Sequence, residues 1–185
     1  SQYEIGSNPS KKVGLILAGN IPLVGFHDIL AVYLSGNELM VKSSDKDSVL
    51  TKHLISVLAG IENNELKLSF VERLHGMEAV IATGSNQSAK RFAGYFSKYP
   101  NIIRRNRNAI AVLSGQESQD EILNLGKDIY QYFGLGCRNV SKIYIPEDFD
   151  KPRLMEILHD EYKYLINHAK YKNNYDYNYA LYLLN

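Results

Sequence analysis

The stretch KVGLILAG, Lys12 to Gly19, is a continuous apolar run that ends in glycine. Such a run is typical of a strand that is buried on both faces, as the inner strands of a parallel sheet are. A helical pattern follows, with Pro22 predicted in its first turn and Gly36 just beyond its end. ELMVK, Glu38 to Lys42, is predicted to be the second strand, so the chain opens with a βα unit that leads into a new strand.

The same alternation continues to Pro146. Helices are predicted over about 85–99 and 117–133, and the strands are KLSFV (67–71), EAVIAT (78–83), AIAVLSG (109–115) and SKIYIP (141–146). Strands that alternate with helical patterns of this length indicate a doubly wound, Rossmann-like α/β sheet. In the last segment, where seven of the fourteen tyrosines fall between Tyr162 and Tyr182, the aromatic side chains are expected to pack a helix pair or an interface to further residues.

Composition excludes several classes of protein. The 185 residues are 45% hydrophobic and 22% charged, and the net charge of +1 comes from interspersed basic and acidic residues, which does not indicate nucleic-acid binding. No apolar run reaches the ~20 residues of a membrane span, and the amino terminus lacks the apolar core of a signal peptide. We therefore expect a cytoplasmic protein without a membrane span. The missing initial methionine and the apolar pattern that runs to the last residue suggest a piece of a longer chain.

Ligands of doubly wound sheets bind beyond the carboxyl ends of the strands, so the residues that follow each strand are the site candidates. Asn20 offers an amide after the first strand, although an asparagine beside glycine is often only a turn former. Lys42 and Asp45 follow the second strand and suit a ribose or a phosphate, with a solvated lysine and a helix cap as the alternative. Gly84 leads from a strand into a helix and allows a pyrophosphate to approach the backbone.

Cys137 is the only cysteine, so it can form neither an internal disulfide nor a multi-thiolate metal site, and no metal is expected. It follows the glycines of GLGC, which favour an exposed thiol, and the adjacent Arg138 favours the nucleophilic thiolate. A cysteine packed as a small hydrophobic residue remains the alternative.

Four motifs, read in order, resemble the aldehyde dehydrogenase superfamily, and most closely the acyl-CoA reductases of the LuxC type. They are AGNIPLVGFHD (18–28), SGNELMVKSSDKD (35–47), VIATGS (80–85) and FGLGC (133–137). Because chains of this family are longer at both ends, the resemblance implies a fragment of the aldehyde dehydrogenase fold. Residues 1–105 would be the nucleotide-binding domain, and residues 106–185 a partial catalytic domain with Cys137.

The resemblance implies that Cys137 is the catalytic nucleophile and that Asn20 supplies the amide of the oxyanion hole. The implied binding site for NADPH or NADH consists of Ala18, Gly19, Lys42, Asp45, Thr83, Gly84 and Ser85. The implied substrate is an acyl-CoA, long-chain by analogy with the LuxC type, and a homo-oligomer or partner enzymes of aldehyde metabolism are expected.

One departure from the superfamily bears on the reaction. Ordinary aldehyde dehydrogenases carry ELGGK upstream of the cysteine, and its glutamate activates the water that hydrolyses the acyl-enzyme. Here the stretch is NIIRRNRNAIAVL (101–113), in which Arg104 or Arg105 replaces the carboxylate and cannot act as that base. This favours acyl exchange with CoA. A CoA-independent aldehyde dehydrogenase and a non-catalytic nucleotide-binding module remain the alternatives.

Overall fold

A computed structural model describes residues 9–61 and 67–184. The chain divides into two compact units, Ser1–Asn106 and Arg107–Asn185. The first unit contains β1 (Lys12–Ile16), α1 (Phe26–Leu34), β2 (Glu38–Lys42), α2 (Ser48–Ile61), β3 (Leu68–Phe70), β4 (Ala79–Thr83), α3 (Asn86–Tyr95) and β5 (Asn101–Arg104). The second contains β6 (Ala109–Val112), α4 (Gln119–Tyr130), β7 (Val140–Tyr144), α5 (Lys151–Tyr162) and α6 (Ala169–Leu184).

The first unit is built on a parallel five-stranded sheet in the order β3-β2-β1-β4-β5. Its central strand β1 pairs with β2 from Lys12↔Glu38 to Ile16↔Lys42 and with β4 from Val13↔Ala79 to Ile16↔Ala82. This confirms the prediction of a doubly wound α/β sheet.

Both faces of this sheet are apolar, as the continuous run in β1 predicted. Leu15 and Val41 are fully buried in a cluster that includes Ile29 of α1 and Ile55 of α2. Val80 and Ala82 belong to a second cluster, which also contains Phe92 of α3. Because alternate strand residues face opposite sides, both sides of the sheet contribute to the hydrophobic core.

Three of the differences between the structure and the sequence predictions concern residues near the candidate sites. The helix after β1 begins at Phe26 and not near Pro22, because turns occupy the preceding residues and Leu23 has a left-handed backbone with φ 56°. The edge strand β5 was not predicted, since its first two residues are exposed and it lacks a buried apolar run. Helix α4 ends at Tyr130, and a short 3₁₀ turn, Gln131–Gly134, takes the place of its expected last turn.

The second unit consists of the parallel pair β6-β7 and its helices. Its core joins Ile122 and Leu125 of α4 to Leu154 and Leu158 of α5. Helix α6 carries five of the tyrosines that close the sequence and has no buried residue. Within residues 9–61 and 67–184, the expected packing of a helix pair by these tyrosines is seen for Tyr162 of α5, whose ring lies 4.6 Å from that of Tyr130 of α4, and not for α6. None of the helices in this part of the chain combines the length and the apolar character that crossing a membrane requires.

Candidate active site

The site candidates of the first unit lie at the carboxyl edge of its sheet. From β1 the chain adds β2 and β3 on one side of the sheet, and it then adds β4 and β5 on the other side. The strand order therefore reverses between the neighbouring strands β1 and β4. Doubly wound sheets bind ligands at this reversal, in the crevice beyond the strand ends. The seven candidate cofactor residues follow or end β1, β2 and β4: Ala18, Gly19, Lys42, Asp45, Thr83, Gly84 and Ser85.

The loops that follow β1 and β2 pack closely against each other. A Cβ atom at Gly19 would lie 2.4 Å from Ser44 Oγ, so this approach requires glycine. The buried carboxylate of Asp47 also joins the two loops, because it accepts hydrogen bonds from Leu23 N at 2.8 Å and from Thr51 Oγ1 at 3.2 Å. Asp47 thereby fixes the left-handed Leu23 and the loop that carries Asn20, whose side chain is exposed.

The turn after β4 leads directly into α3. Ser85 is the N-cap, and its Oγ accepts a hydrogen bond from Ser88 N at 3.1 Å. A Cβ atom at Gly84 would lie 2.9 Å from Ser88 Cβ, so glycine is needed here as well. The backbone N–H of Gly84 donates to Arg104 O at 3.2 Å, which ties this turn to the end of β5.

Thr83 Oγ1 lies at the carboxyl end of β4, in the same turn. Among the described residues, it is the one buried side-chain polar atom that has no hydrogen-bond partner. A buried unsatisfied hydroxyl destabilises the protein unless a ligand or water satisfies it. The hydroxyl of Thr83 therefore fits a polar ligand that accepts or donates a hydrogen bond at the carboxyl end of β4. Lys42 and Asp45 are both exposed near this crevice.

The guanidinium of Arg104 is already paired. Its Nη1 donates to Oδ1 of Asp28, a residue of α1 whose side chain is 7% exposed, while the Arg104 side chain is 34% exposed. Since guanidinium is always protonated, Arg104 cannot be a general base. This pair gives Arg104 a structural role and leaves Arg105 and Arg107 as the exposed arginines of the stretch.

Arg104→Ala is expected to lower the free energy of unfolding by about 2–3 kcal/mol. Removing one partner of a buried pair typically costs about 3–5 kcal/mol, and the partial exposure of Arg104 reduces that figure. Urea denaturation measures the effect, and Arg105→Ala is the control because Arg105 is exposed and adjacent. Equal midpoints for the two variants would contradict the structural role.

In the second unit, Cys137 lies on a tight turn and is exposed. Asn139 N donates to Gly136 O at 3.1 Å, which closes a four-residue turn with Cys137 and Arg138 at its central positions. The preceding residues Tyr132 and Phe133 both have left-handed backbones, with φ of 53° and 58°. Such conformations cost of order 1–3 kcal/mol each in non-glycine residues and are concentrated at functional sites.

Both ends of α4, which precedes this turn, are fixed by side chains. At its start, Ser118 and Glu121 form a capping box. The backbone N–H of Ser118 donates to the Glu121 carboxylate and lowers the pKa of Glu121 below its usual value. At its end, Asn139 Nδ2 donates to Asp128 O at 2.8 Å and to Gln131 O at 3.0 Å.

Sequence reasoning missed Asp47 and Asn139. The side chain of each makes hydrogen bonds to residues that lie from three to 24 positions away in the sequence, and no short motif predicts such bonds. For Asn139 the one available signal was an asparagine two residues after a cysteine in a glycine-rich turn, since asparagine favours turns. Among the described residues, no group of three or more His, Cys, Asp or Glu side chains is arranged to hold a metal ion.

Comparison with solved structures identifies the fold. The aldehyde dehydrogenase of Mycobacterium tuberculosis, complexed with NAD+, is 19% identical with a TM-score of 0.70, over 80% of this chain and 34% of the other. The aldehyde dehydrogenase KauB of Pseudomonas aeruginosa is 15% identical with a TM-score of 0.71, over 84% and 35%. The fold is therefore that of the aldehyde dehydrogenases, and the chain spans about a third of the length of these structures. The comparison with curated proteins gives no significant match.

The sequence itself matches one family model, described as acyl-CoA reductase (LuxC), over residues 3–160. That range includes both the crevice of the first unit and the Cys137 turn of the second. The chain therefore belongs to the LuxC family of acyl-CoA reductases.

Proposed function

We propose that this chain provides the cofactor site and the nucleophile of an enzyme that reduces a long-chain acyl-CoA to an aldehyde with NADPH or NADH. The observation that carries the proposal is the exposed Cys137 on a fixed turn, in a chain that matches the acyl-CoA reductase family over both units. In this proposal residues 1–105 bind the nucleotide, and residues 106–185 form part of the catalytic domain.

Acyl transfer to the enzyme is the first chemical step. The Cys137 thiolate attacks the thioester carbonyl carbon, a new C–S bond forms, and the bond to CoA sulfur breaks. CoA leaves as its thiolate and takes up a proton, so an S-acyl enzyme remains. An exposed sulfur suits this role, because a large thioester substrate has to reach it.

Reduction releases the aldehyde. When bound, NADPH or NADH supplies a hydride to the acyl carbon. Negative charge then develops on the oxygen bonded to that carbon, and in this proposal the Asn20 amide and the backbone N–H of Cys137 hold this oxyanion. Collapse of this adduct breaks the C–S bond, releases the aldehyde and restores the Cys137 thiolate.

The stretch 101–113 supports acyl exchange with CoA over hydrolysis. A hydrolytic aldehyde dehydrogenase needs a base that activates water, and the resemblance puts Arg104 or Arg105 in place of that carboxylate. A guanidinium cannot act as that base. Incubation with an aldehyde and oxidised cofactor, with and without CoA, separates the two reactions. Acyl-CoA formed in the presence of CoA, with no free acid formed in its absence, supports the reductase, and free acid formed without CoA would establish the hydrolytic enzyme instead.

The crevice beyond β1 and β4 is the proposed cofactor site. The buried Thr83 hydroxyl, which has no hydrogen-bond partner among the described residues, supports this assignment. The NAD+ bound in the M. tuberculosis enzyme and in an indole-3-acetaldehyde dehydrogenase of 20% identity supports it too. Asp45 would repel a 2′-phosphate and favour NADH, while Lys42 would attract one and favour NADPH. Titrating the protein with both reduced cofactors decides between them.

Thr83→Val tests the cofactor site without using catalysis. It removes a hydroxyl that has no partner in the described part of the chain, so the free energy of unfolding should rise by about 1 kcal/mol. Loss of a hydrogen bond to the cofactor should weaken its binding about tenfold, equivalent to about 1.4 kcal/mol. Denaturation and fluorescence titration measure the two effects. Ser97→Ala, at an exposed serine after α3, is the control, and unchanged cofactor affinity in Thr83→Val would argue against the assignment.

A further inference from the structure

We infer that Asn139 is the residue that positions Cys137 for reaction. The inference rests on the proposed function, because it takes Cys137 as the nucleophile. Asn139 is a positioning residue in this account, since it acts on the reacting sulfur through the backbone of the turn and touches no substrate.

Asn139 closes the Cys137 turn with two hydrogen bonds to the same residue. Its backbone N–H donates to Gly136 O at 3.1 Å, and its side-chain Oδ1 accepts from Gly136 N at 2.7 Å. Gly136 immediately precedes Cys137, so both peptide groups of Gly136 are held. The backbone position of Cys137 is consequently set on its amino-terminal side by Asn139.

The other end of the same amide ties the turn to a helix. Nδ2 donates to the carbonyl oxygens of Asp128 at 2.8 Å, Gln131 at 3.0 Å and Ile129 at 3.3 Å. The last carbonyls of a helix have no partner within the helix, so α4 is capped by these bonds. Because α4 is also held at its start by the capping box, the Cys137 turn is anchored to a rigid element.

Only a short side chain with both a donor and an acceptor makes this set of bonds. Aspartate has no donors for the carbonyls of α4, and alanine has neither function. The Asn139 side chain also requires glycine at position 136, because a Cβ atom at Gly136 would lie 2.6 Å from Asn139 Oδ1. The second glycine of GLGC is thus explained by the asparagine that follows the cysteine.

Position matters here because both the sulfur and the backbone N–H of Cys137 act in the proposed reaction. Displacing a reacting group by about 1 Å can reduce turnover about 100-fold. Loss of Asn139 should therefore reduce kcat and leave the binding of acyl-CoA, measured as KM, little changed.

The test compares Asn139→Ala, Gly136→Ala and the double variant with Asn124→Ala in the full-length protein. Asn124 is an exposed asparagine of α4 whose side chain accepts a hydrogen bond from Lys127 Nζ, so it controls for the loss of an amide side chain that bonds to a residue of α4. Aldehyde formation is measured with palmitoyl-CoA and reduced cofactor, and kcat is normalised to the folded fraction. Hydrogen–deuterium exchange follows the peptide that covers the turn.

We expect kcat to fall about 100-fold in Asn139→Ala and Gly136→Ala, with faster exchange in the turn, and to stay unchanged in Asn124→Ala. The double variant should be no slower than the worse single variant, because both changes break the same contact. Unchanged kcat or unchanged exchange in Asn139→Ala, or multiplied losses in the double variant, would overturn the inference alone. A wild-type protein that forms no aldehyde would refute the proposed function, and the inference would fall with it.

Discussion

Cys137→Ser is expected to abolish CoA-dependent aldehyde formation while the reduced cofactor still binds. Removing the nucleophile of a covalent catalyst lowers turnover by about 10⁶-fold, because the acyl-enzyme can no longer form. Cys137 is exposed, and the first unit holds the proposed cofactor site, so neither stability nor cofactor affinity should change appreciably. Steady-state assays with acyl-CoA, together with cofactor titration, measure both quantities.

The same variant separates the reductase from the non-catalytic module. Cys137 is the only thiol in this sequence, so iodoacetamide labelling of the chain reports on it alone. In the wild-type protein, labelling should stop aldehyde formation, and prior acyl-CoA should protect the thiol. Full activity of Cys137→Ser would refute the proposed mechanism, and a thiol that is inert to iodoacetamide in a protein that forms no aldehyde would favour the nucleotide-binding module.

Asn20→Ala is expected to lower kcat about 10²–10³-fold, equivalent to about 2.7–4 kcal/mol, which is the loss typical of one oxyanion-hole donor. The amide would act only on charge that develops during the reaction, so KM and cofactor affinity should change little. Single-turnover measurement of hydride transfer, followed by the absorbance of the reduced cofactor, isolates the affected step.

Asn20→Asp is the matched variant for this prediction. It keeps the shape of the side chain but replaces the donor with a carboxylate, which repels an oxyanion, so its kcat should be at least as low as that of Asn20→Ala. Since Asn20 is exposed and its loop is held by Asp47, both variants should fold normally. A kcat for Asn20→Asp near that of the wild type would exclude the amide from the oxyanion hole.

The sequence predicted those parts of the fold that depend on local patterns. The apolar run from Lys12 marked the central strand, and the parallel sheet and family resemblance are confirmed. Residues that follow strands were assigned to the crevice because parallel strands all end at the same edge. Their roles in binding stay predictions.

Features that depend on contacts between distant residues could not be read from the sequence. Asp28 and Arg104 are 76 positions apart, and nothing in either neighbourhood identifies the partner. The late start of α1 has a similar cause, since Leu23 takes a left-handed backbone and its N–H bonds to a carboxylate 24 residues away. Helical periodicity alone extended the helix through that loop.

The left-handed pair Tyr132 and Phe133 has a consequence for engineering this protein. Glycine adopts that conformation without steric penalty, so a search for thermostable variants by melting temperature would tend to select glycine at the exposed Tyr132. The ring contacts of Phe133 with His168 and Tyr171 oppose the same change at Phe133. A Tyr132→Gly variant would relax the backbone five residues before Cys137. Selection by melting temperature alone would therefore favour a more flexible backbone in the segment that precedes Cys137, whose position the proposed reaction depends on.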